Sequence, residues 1–304
     1  MRTSQLAASA LALGLALPGA ASAGPVPSTV TVTAAYGPLV YQTVDITYDP
    51  RHALGRAVVG FHGGSGTGGS KANLAKAAAT LARAGFVVVN VEYRKTTSDL
   101  GPLGARWDAQ RADAVAALDW ARAHASTFGA DPGRFATYGF SWGGLLAATV
   151  GLDGAGTHKV RAVVSASGVL QPQRVAEVAL RPGPTAEGGA DQPTAAVRGL
   201  YAAERLALQQ CAWTRARTAC GARWQAFLPE NLLSAGDPAV LAFHGTADEA
   251  VPPSTLRGFG YHLSQHHVRH SLVSCPGTGH TEACAFDGGA HQRLLLSFLT
   301  AATG

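Results

Sequence analysis

Five residues, Gly139-Phe140-Ser141-Trp142-Gly143, constrain this chain more than any other stretch. They lie between an apolar run at 134–138 and a small-residue run at 144–150. The first run predicts a buried strand and the second a helix. A serine at that junction stands on a sharp turn, with its Oγ projecting from the end of a sheet. The flanking glycines let the backbone fold back where a Cβ would collide. The helix that follows points its first N–H groups at any negative charge gathering there. A hydroxyl so placed is a weak nucleophile alone. It needs a base within hydrogen-bond reach, a carboxylate to orient the base, and N–H donors for the developing oxyanion.

The rest of the chain predicts the sheet that such a turn requires. Apolar β-rich runs alternate with longer helical patterns, as in a mostly parallel sheet with helices on both faces. Residues 29–34 and 40–48 alternate like antiparallel entry strands. Runs at 57–61, 86–91, 134–138, 160–165, 239–243 and 270–274 read as further strands. Helices are expected over 74–83, 107–128, 195–210 and 291–302. The interval 169–235 breaks the rhythm with Pro- and Gly-rich loop signals, one helical pattern and two cysteines. It reads as an insertion over the carboxyl edge of the sheet, where lids and substrate pockets sit. An ordinary long connection is the alternative. Residues 24–304 are expected to form one domain.

Candidates for the remaining roles follow the strand ends. Asp248 stands just past the strand 239–243, in His244-Gly245-Thr246-Ala247-Asp248-Glu249, and is the expected acid. His280 follows the strand 270–274, in Pro276-Gly277-Thr278-Gly279-His280, and is the expected base. The order serine, acid, histidine matches the chain order of one known triad arrangement. His62-Gly63-Gly64 follows the strand 57–61. The N–H groups of Gly63 and Gly64, with that of Trp142, are the expected oxyanion donors, and the Trp142 side chain is a candidate pocket wall. His244 reads as structural. The glycine tract continues as Ser65-Gly66-Thr67-Gly68-Gly69-Ser70-Lys71. A phosphate-cradling loop would need Lys and then Ser or Thr after the glycine; here the order is reversed. Gly64, Gly66 and Gly69 match dinucleotide-loop spacing, with Glu92 a weak candidate for the acidic partner.

Composition excludes other classes. Arg2 precedes an apolar run at 6–17 and then Ala21-Ser22-Ala23, so residues 1–23 read as a cleaved export leader. The apolar run is shorter than the roughly 20 residues a membrane span needs. The chain is therefore expected outside the cytoplasm, secreted or periplasmic. The formal charge of +5 comes from 20 Arg and 4 Lys without a basic cluster, which argues against nucleic acid. The four cysteines suit an oxidising compartment, and the local pairing Cys211–Cys220 and Cys275–Cys284 is expected. His262, His266, His267 and His270 have some metal-like spacing, but the last begins a strand, so no metal is expected. No cofactor is expected either.

On these residues the chain resembles the α/β-hydrolase superfamily, in its secreted carboxylesterase branch. Val58-Val59-Gly60-Phe61-His62-Gly63-Gly64 is similar to the oxyanion loop of hormone-sensitive-lipase-like and feruloyl- or acetylxylan-esterase-like enzymes. Val89-Asn90-Val91-Glu92-Tyr93-Arg94 looks like their next strand, and Asp131-Pro132 fits the turn before the elbow strand. The resemblance implies Ser141 as nucleophile, His280 as base, Asp248 as acid and a carboxylic ester as substrate. Ser65 and Gly66 stand where those families often carry a third glycine and an aromatic. A prolyl-oligopeptidase-like peptidase and an inactive binding module share the fold. The chain lacks the propeller of the first and keeps the serine and histidine that the second loses.

Overall fold

The computed structural model describes residues 29–97, 106–153, 160–183 and 191–304. The leader reading at 1–23 lies outside them, as does part of the loop-rich stretch at 184–190. Eight strands form one sheet: β1 Val30–Ala35, β2 Thr43–Tyr48, β3 Gly55–Phe61, β4 Phe86–Val91, β5 Ala130–Phe140, β6 Ala162–Ala166, β7 Ala239–Gly245 and β8 His270–Cys275. Their spatial order is β1-β2-β4-β3-β5-β6-β7-β8. β1 and β2 are antiparallel entry strands, and every pairing from β4 to β8 is parallel. β4 reads Phe-Val-Val-Val-Asn-Val and is buried along its whole length, the mark of an inner parallel strand covered on both faces. β1 is the mostly exposed edge.

Helices cover both faces. Among the described residues they are α1 Ala75–Arg83, α2 Trp107–Ala123, α3 Trp142–Leu152, α4 Pro172–Ala179, α5 Ala195–Ala207, α6 Ala219–Phe227, α7 Ser254–Gln265 and α8 Ala290–Thr303. On one face Leu81 of α1 and Leu295 and Leu299 of α8 pack with Val58, Val88 and Val164. On the other, residues of α2 to α7 pack with Val59, Val89 and Val163. Alternate side chains of each strand thus feed opposite cores. All eleven residues of α3 are buried, as expected of a helix apolar all round.

Several boundaries differ from the sequence reading, two of them for a visible physical reason. The helix expected over 107–128 ends at Ala123, a 3₁₀ turn follows at Ala125–Phe128, and Gly129 at φ +77° releases the chain into β5. The strand expected over 40–48 begins at Thr43, because residues 36–42 form a turn closed by Tyr36 N–H to the Gln42 carbonyl at 2.9 Å. The interval 169–235 is more helical than expected, holding α4, α5, α6 and a 3₁₀ turn at Pro229–Leu232. An aromatic cluster anchors it: Phe227 lies 4.8 Å from Trp107 and 5.6 Å from Trp142, and Trp224 lies 5.1 Å from Trp213. Cys211 is bridged to Cys220, closing the segment between α5 and α6.

Candidate active site

β5 is central, paired to β3 on one side and β6 on the other. Its last residue, Phe140, hands the chain to Ser141, which takes φ +56° and ψ −122° before α3 begins. That is strained backbone for a residue with a Cβ. Its neighbours explain the pentapeptide. A Cβ on Gly139 would lie 2.0 Å from the Gly143 carbonyl oxygen, and one on Gly143 would lie 1.9 Å from that of Phe61. The Ser141 N–H donates to the Ala166 carbonyl at 3.0 Å. The serine is thus pinned between β3 and β6.

The carboxyl ends of β7 and β8 deliver Asp248 and His280. His280 Nε2 lies 2.9 Å from Ser141 Oγ, and its Nδ1 lies 2.8 Å from Asp248 Oδ2. Since Asp248 is a carboxylate acceptor, Nδ1 carries the proton and Nε2 is left to accept from the serine hydroxyl. Burial alone would raise the Asp248 carboxyl. Hydrogen bonds from His244 and His280 and the Val251 N–H outweigh it and hold the group well below the usual carboxylate range. Its other oxygen accepts the N–H groups of Ala250 and Val251, both at 2.9 Å. His244 Nε2 lies 3.3 Å from Oδ2, so the His244 ring also touches Asp248.

The loop carrying His280 is held from several sides. Cys275 is bridged to Cys284, closing a ring around the histidine. The Ala247 N–H donates to the Thr278 carbonyl at 3.0 Å, Ser167 Oγ to that of Thr281 at 3.1 Å, and Tyr138 OH to Glu282 at 2.6 Å.

On the opposite side of Ser141, Gly63 passes close to the elbow: a Cβ there would lie 3.0 Å from the Ser141 Cβ. Among the described residues, no acceptor is bonded to the N–H groups of Gly63 and Gly64. Gly64 sits at φ +117°, open to glycine alone. The Trp142 side chain corrects the pocket-wall reading. It is fully buried, donates to Gln110 Oε1 at 3.0 Å, and packs against Gly66 and the aromatic cluster. Its place is in the core under the insertion.

Three residues behind the glycine loop were missed as a group by sequence reasoning. His62 is fully buried, with Glu92 and Lys95 against its ring. Burial would raise the Glu92 carboxyl, but its polar contacts with the His62 ring, Lys95 and the Lys71 N–H pull it down to about 2. This engagement leaves Glu92 unsuited to serve as the acidic partner of a dinucleotide loop. The only signal was a pair of opposite charges, Glu92 and Lys95, close together just past an apolar strand. Among the described residues, no group of three or more His, Cys, Asp or Glu could hold a metal, and His262, His266, His267 and His270 do not converge. No described helix is long and apolar enough to cross a membrane.

The sheet order, the serine on its elbow and the acid and histidine at later strand ends define an α/β-hydrolase. The BD-FAE family model matches residues 44–259, and the chain belongs to that family of α/β-hydrolase-like esterases. Among solved structures it is similar to a truncated carbohydrate esterase from gut microbiota, with 22% identity, 92% of this chain and 99% of that one covered, and a TM-score of 0.73. It is also similar to a thermophilic esterase from Thermogutta terrifontis in a butyrate-bound form, with 23% identity, 90% and 94% covered, and a TM-score of 0.63. Esterase 2 of the same organism, phosphoramylated by tabun, aligns at 22% identity over 90% and 95% of the two chains with a TM-score of 0.63. At these identities the likeness establishes the fold.

Proposed function

We propose that this protein is an exported serine hydrolase that cleaves carboxylic esters through an acyl-enzyme. The observation that carries the reading is His280, which bridges Ser141 Oγ at 2.9 Å and Asp248 at 2.8 Å. Ser141 Oγ attacks the ester carbonyl while its proton passes to His280 Nε2. Asp248, kept anionic, faces the imidazolium that forms. The carbonyl oxygen gains the negative charge and is met by the N–H groups of Gly63 or Gly64 and of Trp142. The intermediate collapses, the C–O bond to the alcohol breaks, and the alcohol leaves with the proton from Nε2. Water then attacks the acyl-Ser141, gives its proton to His280, and releases the acid and the serine.

Export is supported by the leader-like residues 1–23 and by the two bridged cysteine pairs. The partly exposed His280 beside the buried Asp248 suits a site open to ester substrates from solution. The carbohydrate esterase among the similar structures makes ester groups on polysaccharide the first natural substrates to test.

The test is hydrolysis of p-nitrophenyl acetate, butyrate and octanoate beside Ser141→Ala. The parent turns over at least one ester and the variant loses about 10⁴-fold or more in kcat. Equal residual activity in both would remove Ser141 as nucleophile. A peptide anilide run alongside separates the peptidase reading.

A further inference from the structure

A peptide unit is planar and trans, so a carbonyl and the N–H of the next residue point in opposite directions. Whatever holds the carbonyl therefore aims the N–H. Two carbonyls are held behind the glycine loop. Tyr93 OH donates to the His62 carbonyl at 2.8 Å and thereby aims the Gly63 N–H. His62 Nδ1 lies 2.6 Å from the Gly63 carbonyl oxygen and thereby aims the Gly64 N–H. A carbonyl can only accept, so this contact requires the proton to be on Nδ1. Gly69 closes over the same carbonyl: a Cβ there would lie 2.2 Å from the Gly63 oxygen.

The other ring nitrogen decides the tautomer. His62 Nε2 lies 3.2 Å from Lys95 Nζ and 3.4 Å from a Glu92 oxygen. An ammonium has three protons and no lone pair. Those of Lys95 have three acceptors: His62 Nε2, the Tyr93 carbonyl at 2.9 Å, and Glu92 Oε1. The ring itself is stacked on Tyr93 at 4.3 Å and cannot turn freely.

We propose that Lys95 is a positioning residue for catalysis: by donating to Nε2 it holds His62 as the neutral Nδ1–H tautomer, which aims the Gly64 N–H at the oxyanion. The role in turnover rests on the serine-hydrolase reading above; the tautomer does not. Without the ammonium, Glu92 is the partner left for Nε2. A carboxylate accepts, so neutral His62 moves its proton to Nε2. Its bare Nδ1 then faces the Gly63 oxygen, acceptor against acceptor, and the peptide turns away. Only the imidazolium, donating at both ends, restores the aim. The charged and titratable groups facing His62 are Lys95, Glu92 and Tyr93. Beyond them lie Lys71, whose N–H holds the second Glu92 oxygen at 2.9 Å and whose Nζ pairs with Asp45 at 2.7 Å, and the Arg94–Asp113 pair at 2.7 Å.

The experiment has two arms. In Lys95→Met, kcat on the best p-nitrophenyl ester falls about 10- to 100-fold above neutral pH, less than the loss of a whole oxyanion donor. KM stays near the parent value. The pH profile of kcat becomes a bell, because His62 must now be protonated while His280 must not; the parent rises to a plateau. In the second arm, imidazole ¹⁵N NMR of the unmodified protein finds the His62 proton on Nδ1, and Lys95→Met moves it to Nε2. A parent spectrum with the proton on Nε2 overturns the proposal. So does a folded Lys95→Met with parental kcat and a plateau. The NMR of the parent decides even where the variant does not fold. A parent without Ser141-dependent esterase activity defeats the serine-hydrolase reading instead, and leaves the tautomer to be judged by the spectrum.

Discussion

On one side of Ser141, His280 rides a loop closed by the Cys275–Cys284 bridge and crossed by hydrogen bonds from Ala247, Ser167 and Tyr138. On the other, His62-Gly63-Gly64 has no covalent tie and leans on Tyr93, Glu92 and Lys95. The two sides face the same hydroxyl and need similar precision. On the proposed mechanism, the difference teaches that covalent closure suits a loop whose side chain acts, since it restricts the backbone and leaves the imidazole free to exchange protons. A partly buried charge network suits a loop whose backbone acts in that mechanism, since it can lock carbonyl directions one by one. The first side should weaken with reductant and the second with acid.

The largest expected effect tests the base side directly. Asp248→Asn preserves shape but can offer a donor to Nδ1, favouring the wrong His280 tautomer. As in serine-protease triads that exchange the aspartate for asparagine, kcat falls about 10⁴-fold, with little change in melting temperature. A drop under tenfold would mean that the His280–Asp248 contact of 2.8 Å carries no catalytic weight.

Acid separates the two sides. The Glu92 carboxyl is held near 2 against an ordinary 4.5. A depressed carboxyl contributes stability above its unfolded value, and that contribution is lost as pH falls from about 4.5 through about 2. The full amount is at most about 3 to 4 kcal/mol, and solvent screening of this partly exposed group reduces it. Urea midpoints at about pH 6 and about pH 3 should differ less in Glu92→Gln than in the parent. Equal pH slopes in the two proteins would detach Glu92 from the fold's acid sensitivity.

The bridge gives the smallest effect. Replacing Cys275 and Cys284 together by Ser costs about 2.5 kcal/mol on the chain-entropy view of a loop this short. We expect kcat to fall only a few-fold in the folded variant, because hydrogen bonds still hold the loop. Mild reduction should lower activity before the chain unfolds. Full activity in reduced, folded protein would make the bridge a stabiliser alone.

The elbow, the strand ends and the order Ser141, Asp248, His280 were legible because each depends on local pattern: an apolar run, then small or turn residues, then the functional side chain. β4 and β7 are plain from their apolar runs for the same reason. The helices α4, α6 and α7 were not legible. α4 has eight residues, and α7 contains Gly258 and Gly260, which lower its intrinsic preference. Tertiary contact explains those glycines: a Cβ on Gly258 would strike Gln171, and one on Gly260 would strike Leu272. The burial of Trp142 was hidden because Phe227 and Trp107, which enclose it, are remote in sequence. His62 and Lys95 stand 33 residues apart, and only the parallel pairing of β3 with β4 brings their loops together.

The interval 169–235 is fastened to the loop that bears the acid. Thr194 Oγ1 donates to the Glu249 carbonyl at 2.6 Å, Asp191 accepts the Ser254 N–H at 3.1 Å, and Arg174 reaches both Ser254 Oγ at 2.8 Å and Asp191 at 3.0 Å. The interval and the turn that follows Asp248 are therefore one mechanical unit in this scaffold. A chimera that imports another enzyme's 169–235 alone would inherit a foreign grip on residues 249–254 and disturb Asp248. The exchangeable unit is the interval together with that turn, and engineering or natural recombination that respects this seam keeps the contacts around Asp248 intact.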